Sequence, residues 1–227
     1  MAPLTTSDNI TTLTSTSVGP LLDRLFAQAD AATSPAVKDL PRDELMRLAG
    51  SKTEYRTFYG LAKDLWLPVS RDTGKLLYML ARATWAKNIV EFGTSFGIST
   101  VHLASALRDN GGGRLITTEF EPSKVARAKE HLKEAELADL VEFREGDALI
   151  TLANDLPDII DLVLLDGAKP LYADILALLE PRLEAGALIV ADNADRCPDY
   201  LARVRSTAAG YLSVPFAADV ELSVRLN

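Results

Sequence analysis

The run Leu164-Leu165-Asp166-Gly167-Ala168-Lys169 and, two dozen residues on, Val190-Ala191-Asp192-Asn193 hold the residue types best suited to chemistry in this chain. In each, an apolar run ends abruptly in polar groups, as a buried parallel strand does where it reaches the rim of its sheet. Neighbouring strands, about 4.8 Å apart, would bring Asp166, Asp192 and Asn193 to one spot at the carboxyl edge. Three hard oxygen donors suit Mg²⁺ or another divalent cation such as Ca²⁺. Lys169 alongside suits a substrate oxygen that must lose a proton. Such a set points to an enzyme.

A second group of acids ends other apolar runs. Val90-Glu91-Phe92 leads into Gly93-Thr94-Ser95-Phe96-Gly97-Ile98-Ser99, a strand-to-helix turn whose two glycines let a ligand approach the backbone. The spacing G-x-x-x-G lacks the middle and last glycines of the dinucleotide fingerprint. Glu91, just before the turn, would repel a pyrophosphate but suit an ammonium or sulfonium. Glu119 closes the run Leu115-Ile116-Thr117-Thr118, where an acid commonly takes a ribose hydroxyl pair. Asp147, within Glu145-Gly146-Asp147-Ala148, ends the next run and could accept from an adenine amino group. Any one of these acids could be a helix cap or a solvated strand end. Together they end successive strands on one edge, which scattered caps would not do.

Positioning these groups takes a regular scaffold, and after Lys87 the pattern alternates strand and helix. Strands read over Asn88 to Phe92, Arg114 to Thr118, Val141 to Arg144, Asp161 to Leu165 and Ala187 to Ala191. Helices read over Ile98 to Arg108, Pro122 to Ala135, Ala148 to Leu152 and Leu171 to Leu183. Tyr211 to Pro215 and Val220 to Leu226 are separated by too few residues for a helical crossover, so they pair as an antiparallel hairpin. The fold class expected is α/β: a Rossmann-like open sheet of seven strands, mostly parallel, in the order 3-2-1-4-5-7-6. Helices cover both faces through right-handed crossovers, and the C-terminal hairpin forms one edge.

Ahead of this domain, expected over residues 67–227, the chain divides in two. Residues 1–20 read as a flexible arm, Thr- and Ser-rich up to residue 17. Residues 21–66 read as an N-terminal helical extension, with Leu21, Leu22, Leu25, Phe26 and Ala29 at helical spacing. Ser34-Pro35 breaks that helix, and Pro41 opens another. Tyr55, Phe58, Tyr59 and Trp66 follow at mixed spacing, as core, dimer contacts or an aromatic wall over a planar acceptor. Asp72 or Thr73 is placed to cap a helix through Leu76, Leu77, Met79 and Leu80. The aromatic and apolar content of Leu21 to Trp66 exceeds what a linker needs, and implies a homodimer interface or a lid.

The composition bounds the partners. The 227 residues are 48% hydrophobic and 25% charged, an ordinary globular mix, with a net charge of −8 that argues against a nucleic-acid footprint. Cys197 is the one cysteine, so no intramolecular disulfide forms. No apolar run is long enough to span a bilayer, and Met1 to Asp8 shows no secretory pattern. The Asn9-Ile10-Thr11 sequon then reads as chance, the location as cytoplasmic and the partner as a small-molecule acceptor.

At this point the chain resembles a known family. Pro68-Val69-Ser70-Arg71-Asp72-Thr73-Gly74-Lys75, Glu91 through Ser99, Glu119, Gly146-Asp147-Ala148, Asp166-Gly167-Ala168-Lys169 and Asp192-Asn193 are similar, in order, to the motif series of S-adenosylmethionine-dependent O-methyltransferases. The cation-dependent branch with the catechol and caffeoyl-CoA enzymes is the nearest. The resemblance implies that Glu119 holds the ribose hydroxyls with Phe120 beside the adenine, and that Asp147 and Ala148 border the adenine edge. It implies that Gly93, Ser99, Val69 and Ser70 surround the methionine portion, with Glu91 supporting the loop. Asp166, Asp192 and Asn193 would hold Mg²⁺ or another divalent cation, Asp166 would also reach the methionine ammonium, and Lys169 would be the base. A phenol, with a pKa of about 10, needs that help to become a nucleophile. The segment Ala194 to Asp199 does not match the substrate loop of those enzymes.

Other features weigh less. Tyr59 and Lys63 have Y-x-x-x-K spacing but precede the first strand, the wrong side for a short-chain dehydrogenase. His102 and His131 lack a second ligand at metal spacing and read as packing or surface residues; Cys197 reads as a small semi-buried side chain. Arg196 either contacts an acid group of the substrate or carries solvated charge. The alternatives to a cation-assisted methyltransferase are a metal-independent one, a nicotinamide-dependent oxidoreductase, and a binding protein that kept the donor pocket only.

Overall fold

The structure is a computed structural model and describes residues 11–227. The first half of the expected arm, and the sequon that begins at Asn9, lie outside the described residues. Seven strands form one sheet in the order β3-β2-β1-β4-β5-β7-β6, the order expected from the sequence. They are β1 (Asn88–Phe92), β2 (Arg114–Glu119), β3 (Val141–Glu145), β4 (Ile160–Leu165), β5 (Leu183–Ala191), β6 (Tyr211–Pro215) and β7 (Glu221–Arg225). The first five run parallel, while β7 is antiparallel to both β5 and β6. The strand order reverses between β1 and β4, the place where open α/β sheets leave a crevice for ligands.

Alternate strand residues feed two cores, as the period of two in a strand requires. Ile89, Leu162, Leu164 and Val190 pack with α1 (Val18–Ala31), α5 (Arg71–Ala83), α6 (Ile98–Asp109) and α7 (Pro122–Glu134). Val90, Val163, Leu165 and Ile189 pack with α8 (Ala148–Thr151), α9 (Tyr172–Leu179) and α10 (Pro198–Val204). α6 is buried at every residue from Ile98 to Leu107, so its polar groups need internal partners. His102 finds one in the Ile98 carbonyl at 2.8 Å, and burial pushes its imidazole down to about 4, leaving it neutral in the packing role expected of it.

Of the expected arm, residues 11–20 are described, and most of them join regular elements. Thr12–Thr14 form a 3-10 turn, and the Thr12 amide donates to Asp109 Oδ2 at 3.0 Å, at the end of α6. α1 then begins at Val18 and shares its core with α5 and α6. Three short helices follow: α2 (Pro35–Lys38), α3 (Arg42–Ala49) and α4 (Tyr55–Leu61). The cap of α5 is Ser70, whose hydroxyl accepts from the Thr73 amide at 3.0 Å, not Asp72 or Thr73. The helix expected over Leu171 to Leu183 stops at Leu179, because Pro181 in the next 3-10 turn supplies no amide donor. α10 has no counterpart in the sequence reading, although Pro198 at its first turn and buried Tyr200 and Val204 four apart announce it.

Candidate active site

The carboxyl ends of β1, β2, β3, β4 and β5 converge on the crevice. After β1 the chain turns sharply at Gly93, where φ is +103°. A Cβ there would lie 2.6 Å from the Asp166 carbonyl oxygen, so only glycine lets the loop after β1 touch the loop after β4. Gly167 is held the same way by the Phe92 ring, which a Cβ would meet at 2.5 Å. These two contacts press both ligand-bearing loops together.

Glu91 lies beneath the loop rather than on the crevice wall. Its carboxylate accepts hydrogen bonds from Ser99 and Thr100 hydroxyls, both at 2.6 Å, and from Thr117 at 2.5 Å. Burial pushes it up to about 7, against the pull of those three donors. In the unfolded chain a glutamate titrates near pH 4.3, so the folded protein holds this proton to higher pH. The contribution therefore favours folding most below about pH 4.3 and is lost as the pH rises to about 7. Glu91→Gln keeps the shape without the charge. It is expected to gain roughly 1–3 kcal/mol over the parent near pH 8, and most of that gain should vanish near pH 5. Urea unfolding at the two pH values checks this.

Glu119, the last residue of β2, accepts from the Ser95 amide at 2.9 Å and from the Phe120 and Glu121 amides at 2.9 and 3.0 Å. Burial raises its carboxyl, while Lys124 and these amides favour the charged form. Asp147 caps α8 through the Leu149 amide at 3.0 Å, and accepts from Tyr55 Oη at 3.1 Å and from Arg56. Gly93, Glu119, Phe120, Asp147, Ala148 and Asp166 all line one cavity. Tyr55, Tyr59 and Leu67 also line this cavity, whose volume is about 60 Å³. Ser99 lines an adjoining recess with Gly93, Asp166 and Trp66. Val69 and Ser70 line neither: Val69 is buried in the core and Ser70 is engaged as a cap, while Leu67 and Pro68 line the recess.

On the other side of Asp166 lies a cavity of about 640 Å³, within the range of small-molecule sites. Asp166, Lys169, Asp192 and Asn193, all anticipated from the sequence, line it together. Lys169 Nζ donates to Asp166 Oδ1 at 2.9 Å and to Tyr172 Oη at 2.8 Å, and Tyr172 Oη donates on to the Asp192 carbonyl at 2.7 Å. The Asp166 and Asp192 carboxyl groups are within hydrogen-bonding reach of each other. Burial, then the neighbouring Asp166, pushes Asp192 up to about 7; burial raises Asp166 too, against the pull of Lys169. Asn193, in left-handed conformation at φ 51°, donates its amide to Asp219 at 3.2 Å, leaving its amide oxygen as a donor to a cation. Two carboxylates and one amide gather here; among the described residues, no three His, Cys, Asp or Glu side chains are placed to hold a metal.

Sequence reading did not foresee how much of the wall comes from the N-terminal helices. Met46, Phe58, Tyr59 and Leu67 form the apolar side of the larger cavity. Trp66 stacks on Phe96 of the glycine loop at 4.2 Å between centroids, with Arg127 over both rings. The aromatic spacing from Tyr55 to Trp66 was the signal for this wall, as one of three readings. Tyr172 carried a signal as well, three residues beyond Lys169 and so on the same side of a helical turn.

Comparison with known proteins agrees with this geometry. A family described as a methyltransferase domain matches residues 90–194. A catechol O-methyltransferase of Niastella koreensis is 38% identical over 133 residues, 57% of this chain and 59% of that protein. The chain thus spans about three-fifths of the length of that curated relative. Among solved structures, the O-methyltransferase TomG from Streptomyces achromogenes, in complex with SAM, is 30% identical with a TM-score of 0.62, covering 83% of this chain and 92% of the other. Cofactor-bound Rv0187 from MTB is 26% identical with a TM-score of 0.68, covering 94% of each chain.

Proposed function

We propose that this chain, which belongs to the S-adenosylmethionine-dependent O-methyltransferases, moves a methyl group to a hydroxyl of a small, aromatic, catechol-like acceptor with the help of a divalent cation. One observation carries the reading. Asp166 forms part of the wall of the cavity that holds Glu119 and Asp147, and also of the cavity that holds Lys169 and Asp192. A donor in the first and an acceptor in the second would meet beside that carboxylate.

The chain's own groups divide the work. Glu119 and Asp147 offer carboxylates to the ribose and adenine ends of the donor, and the loop from Gly93 to Ser99 encloses its amino-acid end. When bound, the donor supplies a methyl group on sulfur, and the cation supplies a Lewis acid for the acceptor oxygens. With the donor bound, Lys169 in its free-amine form would take the proton of the acceptor hydroxyl at Nζ, so that the acceptor oxygen meets the methyl group as a nucleophile. Tyr59, its phenol pushed well up by burial, stays neutral and closes the wall over both cavities through its hydrogen bond to the Gly167 carbonyl at 3.3 Å.

The cation is supported by the chemistry of its donor set. Asp166 and Asp192 concentrate buried negative charge, which a hard divalent ion would offset, and Asn193 adds a neutral oxygen. A second reading, methyl transfer without metal, rests on Lys169 Nζ at 2.9 Å from Asp166, where an ammonium already answers one carboxylate. The reading also includes a homodimer. α1 is largely spent on the core, whereas Leu212, Val214 and Phe216 expose an uncharged apolar edge at β6. A concentration-independent monomer mass in light scattering would remove the dimer. Among the described residues no helix is long and apolar enough to cross a membrane.

Thermal shift tests the donor. S-adenosylmethionine and S-adenosylhomocysteine should raise the melting temperature, by about 2.7 kcal/mol of stability at 100 times Kd, and NAD should not. Glu119→Ala is expected to weaken donor binding by roughly 1–3 kcal/mol, because it removes charged acceptors for the ribose. Undiminished affinity in that variant takes Glu119 out of the site.

A further inference from the structure

We infer that the acceptor carries an acidic substituent and that the Arg196 guanidinium receives it. The inference rests on the methyltransferase reading and names the substrate class of the same site. Three cations line the larger cavity: Lys52, Lys169 and Arg196. Lys52 is held by Asp174 and Lys169 by Asp166, but Arg196 has no ion-pair partner among the described residues. Asp199, which shares the wall, forms no ion pair with it. The Arg196 guanidinium, five N–H donors in a planar fork of the kind that suits a carboxylate, thus stands at the cavity without a protein acceptor among the described residues.

The backbone beneath Arg196 is fixed. It ends the 3-10 turn Ala194–Arg196, which starts from the cation-site residue Asn193. The Ala194 amide donates to the Asp219 carbonyl at 2.8 Å, the Arg196 amide to the Asn193 carbonyl at 3.1 Å, and the Cys197 thiol to the Lys169 carbonyl at 3.4 Å. The turn is therefore tied to the segment that carries the base. The charge reaches the site as well. Against the upward push of burial, Arg196 pulls down the Tyr59 phenol and the Cys197 thiol, both on the cavity wall. Between the two polar ends, Met46, Phe58, Leu67 and Pro68 offer apolar surface to a ring. A hydroxylated aromatic acid matches all three features; a neutral diol leaves the guanidinium unused.

The test uses the full chain saturated with S-adenosylhomocysteine and Mg²⁺, and titrates 3,4-dihydroxybenzoate and its methyl ester by calorimetry. The acid is expected to bind about 10-fold tighter than the ester, the equivalent of about 1.4 kcal/mol. Arg196→Gln should erase that preference and leave the ester's Kd unchanged, while Arg196→Lys retains part of it. Arg196 is exposed, so these variants should fold, and their melting temperatures verify it. Equal binding of acid and ester, no binding of the acid at millimolar concentration, or equal weakening of both by Arg196→Gln overturns the inference. Methyl transfer to the two compounds is followed separately. An acid preference without transfer strikes the methyltransferase reading and leaves Arg196 in place; transfer without the preference does the reverse.

Discussion

Lys169→Ala should lower kcat by about 10²–10⁴-fold with a catechol acceptor, the contribution of a positioned proton acceptor. Nζ is fixed by two hydrogen bonds, to Asp166 at 2.9 Å and to Tyr172 at 2.8 Å, so the base does not have to search for its place. Donor affinity should change little, because Lys169 lines the larger cavity and not the one that holds Glu119. Part of the lost rate should return at high pH, where the phenol ionises without help, near its pKa of about 10. A rate that stays flat with pH in the variant would mean that Lys169 holds Asp166 in place without accepting the proton.

Asp192→Ala is the second large effect. Turnover should fall by about 10²-fold or more, the loss expected when several kcal/mol of charge stabilisation at the acceptor oxygen disappears. Adenosylmethionine binding should survive, since Asp192 is absent from the wall of the cavity that holds Glu119 and Asp147. Stability should not suffer either, and should rise at neutral pH. Burial and Asp166 push Asp192 up to about 7, so removing it relieves a crowded pair of acids. Exhaustive chelation of the parent should reproduce the kinetic defect, and Mg²⁺ should restore the parent far better than the variant. Full activity with a diol acceptor after chelation would sink the cation and promote the reading in which Lys169 alone serves Asp166.

The sheet was legible because most of its parallel strands are short, buried apolar runs alternating with helical segments, and because β2, β3, β4 and β5 end in or lead into acids at the same rim. Asp166, Glu119, Asp147 and Asp192 were found by that rule, and all reach the crevice. Glu91 obeys the same rule of position, but its side chain turns away to three hydroxyls contributed by α6 and β2. Strand alternation places Glu91 on the face opposite its neighbours Val90 and Phe92, and a residue-by-residue motif does not record that. Val69 and Ser70 line none of the cavities, for a different reason. Helix capping and core packing claimed them, and the crevice received Leu67 and Pro68, two residues earlier. The wall from Met46 to Tyr59 depends on contacts across more than a hundred residues, such as Tyr59 with Gly167, which no local pattern encodes.

Asp166 has a consequence for how such an enzyme can diversify. Because one carboxylate borders the larger cavity, the smaller cavity and the adjoining recess, a change there alters all three at once. The loops after β1 and β4 are equally constrained, locked by the close approach of Gly93 and Gly167 to their neighbours. Freedom is left at positions that border the larger cavity alone, such as Met46, Phe58 and the segment from Arg196 to Asp199, whereas Tyr59 and Leu67 border both cavities. New acceptor preferences should therefore arise, in nature or in a library, from substitutions at those positions first.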